Sequence, residues 1–130
     1  MKKFLYFVIF ILITSFPANS ETKTDELNKL FLKLKTEYNI SIASKIESKI
    51  WKVWTTHQSN PILTDLLAKG SYYMSRNKLL DAHEIFSKVI KLDPNWAEAW
   101  NKRATVLYLM GKYQLSQNDI DKVLSLEKRH

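Results

Sequence analysis

The sequence predicts an all-α protein built as a stack of antiparallel helix pairs. Apolar residues recur at spacings of three and four, which is the helical period, and no segment alternates strictly between apolar and polar residues over the length of a strand. In the last seventy residues, one set of residue types recurs after 34 positions. The 130 residues are 45% hydrophobic and 25% charged, a composition typical of a single globular domain.

The first twenty residues have the layout of a secretory signal peptide. Two lysines stand at the start, an apolar run extends from Phe4 to Phe16, and the small residues Ala18 and Ser20 fit cleavage between Ser20 and Glu21. We expect residues 1–20 to be removed and the mature chain to be secreted or periplasmic. An uncleaved N-terminal membrane anchor is the alternative. Removal takes away two lysines, so the formal charge falls from +7 to +5.

The residue types that are scarce exclude several classes of chemistry. The chain has no cysteine, which rules out a disulfide scaffold, a cysteine-ligated zinc site, a thiol nucleophile and a lipid-modified N-terminal cysteine. It has two glycines and no glycine-rich motif, which argues against a phosphate-binding loop. A mature domain of this kind depends on packing alone for its stability.

Residues 21–62 predict an N-terminal pair of helices. The first begins after Thr24, and the segment Asn39-Ile40-Ser41 separates it from the second. The expected apolar faces consist of Leu27, Leu30, Phe31, Leu34 and Tyr38 in the first helix, and of Ile42, Ala43, Ile46, Ile50, Val53, Trp54 and His57 in the second. Asn60 is the expected N-cap of a third helix, whose first residue is Pro61.

The repeat spans residues 63–130 and divides into units 63–96 and 97–130. Its first unit carries Leu66, Gly70, Tyr73, Ala82, Phe86, Val89 and Pro94. The second carries Trp100, Ala104, Leu107, Ser116, Ile120, Val123 and Lys128 at the same spacings. Asn77 and Gly111, also 34 apart, can adopt the left-handed conformation that ends a helix. Asn95 and Glu98 resemble a capping box at the start of the second unit.

This pattern of large, small and aromatic positions resembles the tetratricopeptide repeat. The chain departs from the family pattern at Lys69 and Arg103, where leucine is preferred, at Leu107, where tyrosine is, and at Lys128, which replaces the closing proline. Because both units depart alike at Lys69 and Arg103, we interpret this pair as a subfamily trait. The layout as a whole resembles small secreted repeat proteins of Gram-negative bacteria.

The resemblance implies a right-handed stack of six helices, with the residues of the two sets other than Lys128 as the repeat core and the pair in residues 21–62 as an N-terminal cap. It also implies that the first helix of each unit lines a concave, peptide-binding face. The residues expected to contact a peptide are Ser71, Met74, Asn101, Lys102, Thr105 and Tyr108, flanked by Thr64, Leu67, Ala68 and Leu109. Asn101 is expected to pair with a peptide backbone and Lys102 with a carboxylate.

No catalytic, cofactor or metal site is predicted. His57, His83 and His130 lie in different elements without metal-ligand spacing, and no nucleophile stands beside a base. The lysines are scattered, so we expect no nucleic-acid partner. Core packing is the favoured role of Trp51, Trp54 and Trp100, and a joint between units that of Trp96, against the alternative of an aromatic ligand cage.

We therefore expect a non-catalytic periplasmic adaptor that binds a protein or peptide. The alternatives are a membrane-tethered scaffold and a non-catalytic subunit of a cell-envelope complex. Leu115, Val123, Leu124 and Leu126 predict an uncovered apolar strip on the last helix, through which residues 113–127 would self-associate. A chain shortened relative to the family is the other explanation for such a strip.

Overall fold

A computed structural model describes residues 22–130, so the signal peptide expected over residues 1–20 lies outside the described part. The described residues form six helices and no strand. The helices are α1 (Lys23–Thr36), α2 (Ile40–Thr55), α3 (Pro61–Ser75), α4 (Leu79–Leu92), α5 (Ala97–Leu109) and α6 (Tyr113–Leu126). The chain is all-α, as the apolar spacing predicts.

Polar side chains at the start of the first three helices explain where these helices begin. Thr22 and Asp25 form a reciprocal capping box before α1, and the Asn39 side chain accepts two backbone N–H groups at the start of α2. Asn60 caps α3, and Pro61 is its first residue, as expected. In each case a side-chain oxygen accepts a bond from an N–H group that has no partner within the helix.

Left-handed residues end the first helix of each repeat. Asn77 has a φ of 57° and Gly111 a φ of 73°, and these are positions to which the sequence assigns that conformation. The backbone N–H of Lys78 then donates to Tyr73, and that of Lys112 to Leu107. The equivalence of these bonds shows that the two turns are built alike.

Three local expectations are wrong. Tyr38 is almost fully exposed because α1 ends at Thr36, before that residue can join the apolar face. Ile42 lies in the first turn of α2 and is exposed as well. The capping box of Asn95 and Glu98 does not form, because Trp96 occupies the N-cap of α5 and the Glu98 side chain turns into the protein.

The repeats pack around one core cluster formed by α3, α4 and α5. Ala82, Phe86 and Val89 are wholly buried there, and Phe86 lies directly opposite Gly70. The remaining core residues named from the sequence differ in burial. Gly70, Ala104, Leu107, Ser116 and Val123 are buried, Leu66, Tyr73, Trp100 and Ile120 are partly buried, and Pro94 is exposed. Small residues therefore stand where the helices approach most closely.

The N-terminal pair α1–α2 has its own core, made of Leu27, Leu30, Ile46, Ile50 and Trp54. Besides α1, α2 contacts α5. The side of α3 that carries Ile62 and Tyr72 is exposed.

None of the helices within residues 22–130 has both the length and the apolar composition needed to cross a membrane.

Gly70→Ala tests the close approach of α3 and α4. A Cβ at Gly70 would lie 2.5 Å from Cε1 of Phe86, far inside van der Waals contact. We expect the clash, about 1–3 kcal/mol, to exceed the gain in helix propensity, about 1 kcal/mol. The melting temperature should therefore fall by several degrees in a thermal unfolding experiment. Ser75→Ala, at an exposed position of the same helix, serves as the control, and an unchanged melting temperature for Gly70→Ala would contradict the packing.

Candidate functional site

The candidate binding face is carried by α3 and α5, the first helices of the two repeats. Ala68, Thr105, Tyr108 and Leu109 are exposed on it, and Thr64, Ser71, Met74, Asn101 and Lys102 are partly buried. Leu67 is wrongly placed on this face by the sequence pattern. It is buried with Leu63 in the repeat core, since both leucines belong to the cluster formed by α3, α4 and α5.

Glu98, in the first turn of α5, is the centre of a buried polar cluster. Its Oε2 accepts a hydrogen bond of 3.2 Å from Nδ2 of Asn101, and its Oε1 lies 3.3 Å from Nζ of Lys102. Nε2 of His130 lies 2.8 Å from the same Oε2. Asn101 and Lys102 thus both have a partner inside the protein, and a peptide that bound to them would compete with Glu98.

The N-terminal pair and the segment 127–130 close this end of the face. The Trp54 ring stacks on the His130 ring, with centroids 4.2 Å apart. Nε1 of Trp96 donates a buried hydrogen bond of 2.9 Å to the Trp54 carbonyl oxygen. The guanidinium of Arg129 lies over the Phe31 ring and donates to the Asn28 side chain. The first turn of α5 is therefore covered from two directions.

His57 joins the same end of the face to the loop between the repeats. Its Nδ1 accepts the backbone N–H of Asn60, so Nε2 carries the proton and donates to Asp93 at 2.8 Å. Its own backbone N–H donates to the hydroxyl of Thr64, one of the residues expected on the binding face. His57 lies beyond the end of α2 and acts as a link between segments, not as the helix-end charge expected from the sequence.

The other half of the face, toward the C-terminal ends of α3 and α5, is open. Tyr108 and Leu109 are exposed there, and the Tyr108 ring meets the Tyr113 ring edge to face at 5.3 Å. The hydroxyls of Ser71 and Thr105 donate to carbonyl oxygens of their own helices, which leaves their oxygens able to accept. This half offers apolar contact and hydrogen-bond acceptors without any covering segment among the described residues.

Electrostatics favour the charged form of Glu98. Burial alone would raise the pKa of this carboxyl, but the His130 ring, the Lys102 ammonium and the Asn101 amide outweigh it, and the net pKa is lowered. The pKa of Lys23 is also lowered, because burial of its ammonium exceeds the attraction of Glu98 and Asp93. Its Nζ donates to the carbonyl oxygen of Thr56 at 3.1 Å, which ties α1 to the end of α2.

The described residues contain no group of three histidine, aspartate or glutamate side chains placed to hold a metal ion. His83 lies partly buried on α4, and burial, with the nearby charge of Arg103, lowers its pKa. Trp54 and Trp96 are buried, whereas Trp51 is about half exposed and Trp100 partly so. The four rings do not enclose a common space. Trp96 and Trp54 pack where the N-terminal pair meets the start of α5, whereas the Trp100 ring lies under the guanidinium of Arg103.

Lys69 and Arg103, interpreted from the sequence as one shared trait, have different surroundings. Arg103 forms two hydrogen bonds of 2.7 and 2.8 Å with the buried carboxylate of Asp119, and a third with Ser87. Lys69 is exposed, and its ammonium lies 6.0 Å from the centre of the Tyr73 ring. The first repeat has Ile85 where the second has Asp119, so it lacks the matching acid.

The sequence interpretation missed Glu98 and His130 as partners. The sequence does carry a signal for a buried Glu98, because this residue stands between two alanines. One of them, Ala99, is wholly buried in the structure. Its first-repeat counterpart is Thr64, which makes the charge unusual for that position.

Fold and repeat together define a helical-repeat protein. The chain is 35% identical over 136 aligned residues, 93% of its length, to a TPR repeat-containing protein of Rhizobium etli. It is 28% identical over 65 residues to trafficking protein particle complex subunit 12 of Mus musculus. It spans 66% of the length of the first relative and 8% of the second. No family model matches the chain. No solved structure matches it either.

The chain belongs to the tetratricopeptide-repeat (TPR) proteins. The 34-residue spacing, the paired helices and the similarity along nearly the whole chain to a relative named for these repeats agree on this. The family as a whole points to a protein–protein interaction module.

Glu98→Gln tests the buried cluster through its pH dependence. Because the folded-state pKa of Glu98 is lowered from 4.5, its stabilisation is present above that value and is lost as the pH falls through the folded-state pKa. We expect the variant to be less stable at neutral pH by about 1–3 kcal/mol, since Lys102 and His130 lose a charged partner. Its stability should also fall less steeply in acid, as measured by denaturant unfolding across pH. Glu84→Gln, at an exposed carboxyl of α4, is the control. An acid limb identical to that of the unmodified protein would contradict a charged Glu98.

Proposed function

We propose that this protein is a non-catalytic adaptor that binds a peptide or protein segment on the open half of the face formed by α3 and α5. The observation that carries the proposal is the exposure of Tyr108 and Leu109 on that half, beside the partly buried Met74. Exposed aromatic and aliphatic side chains held on a rigid helix are the usual anchors of a protein interface.

The geometry favours a segment that brings an apolar side chain to Tyr108. The contact with the Tyr113 ring, whose centroid lies 5.3 Å away, restrains the Tyr108 ring, so little rotamer freedom is lost on binding. The oxygens of Ser71 and Thr105 can accept N–H groups from the same segment. Lys102 and Asn101 contribute indirectly, because they balance the charge that fixes the first turn of α5.

Replacing both anchors should separate binding from folding. We expect Tyr108→Ala with Leu109→Ala to weaken a partner recovered from envelope extract by about tenfold or more, since two exposed anchors are lost. The partner is identified by cross-linking and mass spectrometry, and its affinity is then measured by titration. The matched control, Leu32→Ala with Tyr38→Ala, removes the same residue types from exposed positions on or beside α1. Equal affinity of both double variants would reject this site.

We also propose that the protein acts outside the cytoplasm, because residues 1–20 have the layout of a signal peptide. N-terminal sequencing of the protein from its producing cells should read from Glu21. A sequence that begins at Met1, with the protein in the membrane fraction, would favour the tethered scaffold. Recovery in a stable cell-envelope complex would instead assign it the role of a non-catalytic subunit.

A further inference from the structure

The contact between the two repeats shows how one repeat of this chain covers another. On α4, Ile90 is 7% exposed. On α5, which packs against α4, the N-cap Trp96 is 6% exposed and Val106 is 0% exposed. Across the same contact, Nη1 of Arg103 donates to the hydroxyl of Ser87. Because the repeats are offset by 34 residues, each of these residues has a counterpart whose surroundings can be compared directly.

The counterparts on α3 are uncovered. Ile62, which corresponds to Trp96, is 67% exposed, and Tyr72, which corresponds to Val106, is 57% exposed. Lys69 and Arg76, the counterparts of Arg103 and Met110, are exposed beside them. The reason is the placement of α1–α2, which contacts α5 and segment 127–130 and leaves this side of α3 open.

The counterparts on α6 are uncovered too. Leu124, which corresponds to Ile90, is 44% exposed. Asp121 corresponds to Ser87, and Tyr113 corresponds to Leu79. Asp121 and Tyr113 are both exposed. This corrects the apolar strip expected from the sequence: Val123 is buried in the protein, whereas Leu115 and Leu124 remain at the surface.

We propose that a second copy of this chain occupies these faces, with α3 of one copy packing on α6 of the next as α5 packs on α4. The joint between the repeats is the template, so the occupant is defined by the chain's own geometry. The proposal does not rest on the peptide-binding face, although Tyr113, whose ring meets Tyr108 there, also lies on the α6 face.

The two faces are chemically complementary. Lys69 takes the place of Arg103 and Asp121 the place of Ser87. The hydrogen bond from a charged guanidinium to a neutral hydroxyl within the chain therefore becomes an ion pair between copies. Arg76, whose guanidinium already lies 5.4 Å from the Tyr72 ring, comes to the place that faces Tyr113. Ile62 and Leu124 supply the apolar contact.

The same residues argue for a moderate affinity and a definite symmetry. Asp65 replaces the buried Ala99, and Tyr72 is larger than Val106, so the contact is more polar and less closely packed than the internal joint. Since the face on α3 differs from the face on α6, the contact is head-to-tail. It therefore leaves one free face at each end and permits open arrays.

Two variants that each block one face provide the test, with the whole chain expressed and association followed by sedimentation velocity up to about 1 mM. We expect the unmodified protein to associate as its concentration rises. Tyr72→Asp and Leu124→Asp should each be monomeric, and an equal mixture should form a dimer and nothing larger, because only one pair of intact faces remains. Tyr38→Asp, at an exposed position outside both faces, should associate like the unmodified protein. Melting curves verify that each variant is folded.

Charge exchange gives a second measurement that does not depend on apolar substitutions. Lys69→Asp and Asp121→Lys should each weaken association about tenfold, and the two together in one chain should restore it. The proposal is overturned if the unmodified protein stays monomeric, or if the mixture of blocked variants does. It is also overturned if Tyr72→Asp alone still dimerises, since that result would indicate a symmetric contact through α6.

Discussion

Trp54 is the residue on which the arrangement of this molecule depends. Its ring stacks on His130, and its carbonyl oxygen accepts the buried hydrogen bond from Trp96. These two contacts hold the N-terminal pair against the start of α5. A pair held there covers the first turn of the binding face, and it is unavailable to cover α3. The half-closed face and the open side of the stack are therefore two consequences of one docking geometry.

The buried charge of Glu98 makes that geometry specific. A carboxylate without partners would cost several kcal/mol at this depth, so the site requires cations or donors from outside its own turn. Lys102 and Asn101 come from the next turn of α5, but His130 comes from the far end of the chain and reaches Glu98 only when segment 127–130 lies against Trp54. Stacking on the Trp54 ring and compensation of the Glu98 charge thus both require segment 127–130 to lie in the same place.

The helical period and the 34-residue repeat were sufficient to predict the helices and the left-handed turns at Asn77 and Gly111. They were insufficient for Leu67 and for the placement of the N-terminal pair. A helical period identifies an apolar side but does not identify the helix that will cover it. That choice is made by long-range contacts such as Trp54 with Trp96, between residues 42 positions apart, for which the sequence offers no spacing rule.

Lys69 and Arg103 show how a comparison of equivalent positions in two repeats can locate an interface that one repeat lacks. They occupy one repeat position, and the pattern alone makes them equivalent. Arg103 is partnered because Asp119 of its own repeat and Ser87 of the first repeat both accept hydrogen bonds from it, whereas Lys69 is exposed and the first repeat has Ile85 in place of Asp119. When residues at equivalent positions of the two repeats have different surroundings, the difference therefore marks an interface that one repeat has and the other lacks. The same comparison gives opposite charges at the two open faces, and opposite charges favour contact between unlike faces over contact between like ones.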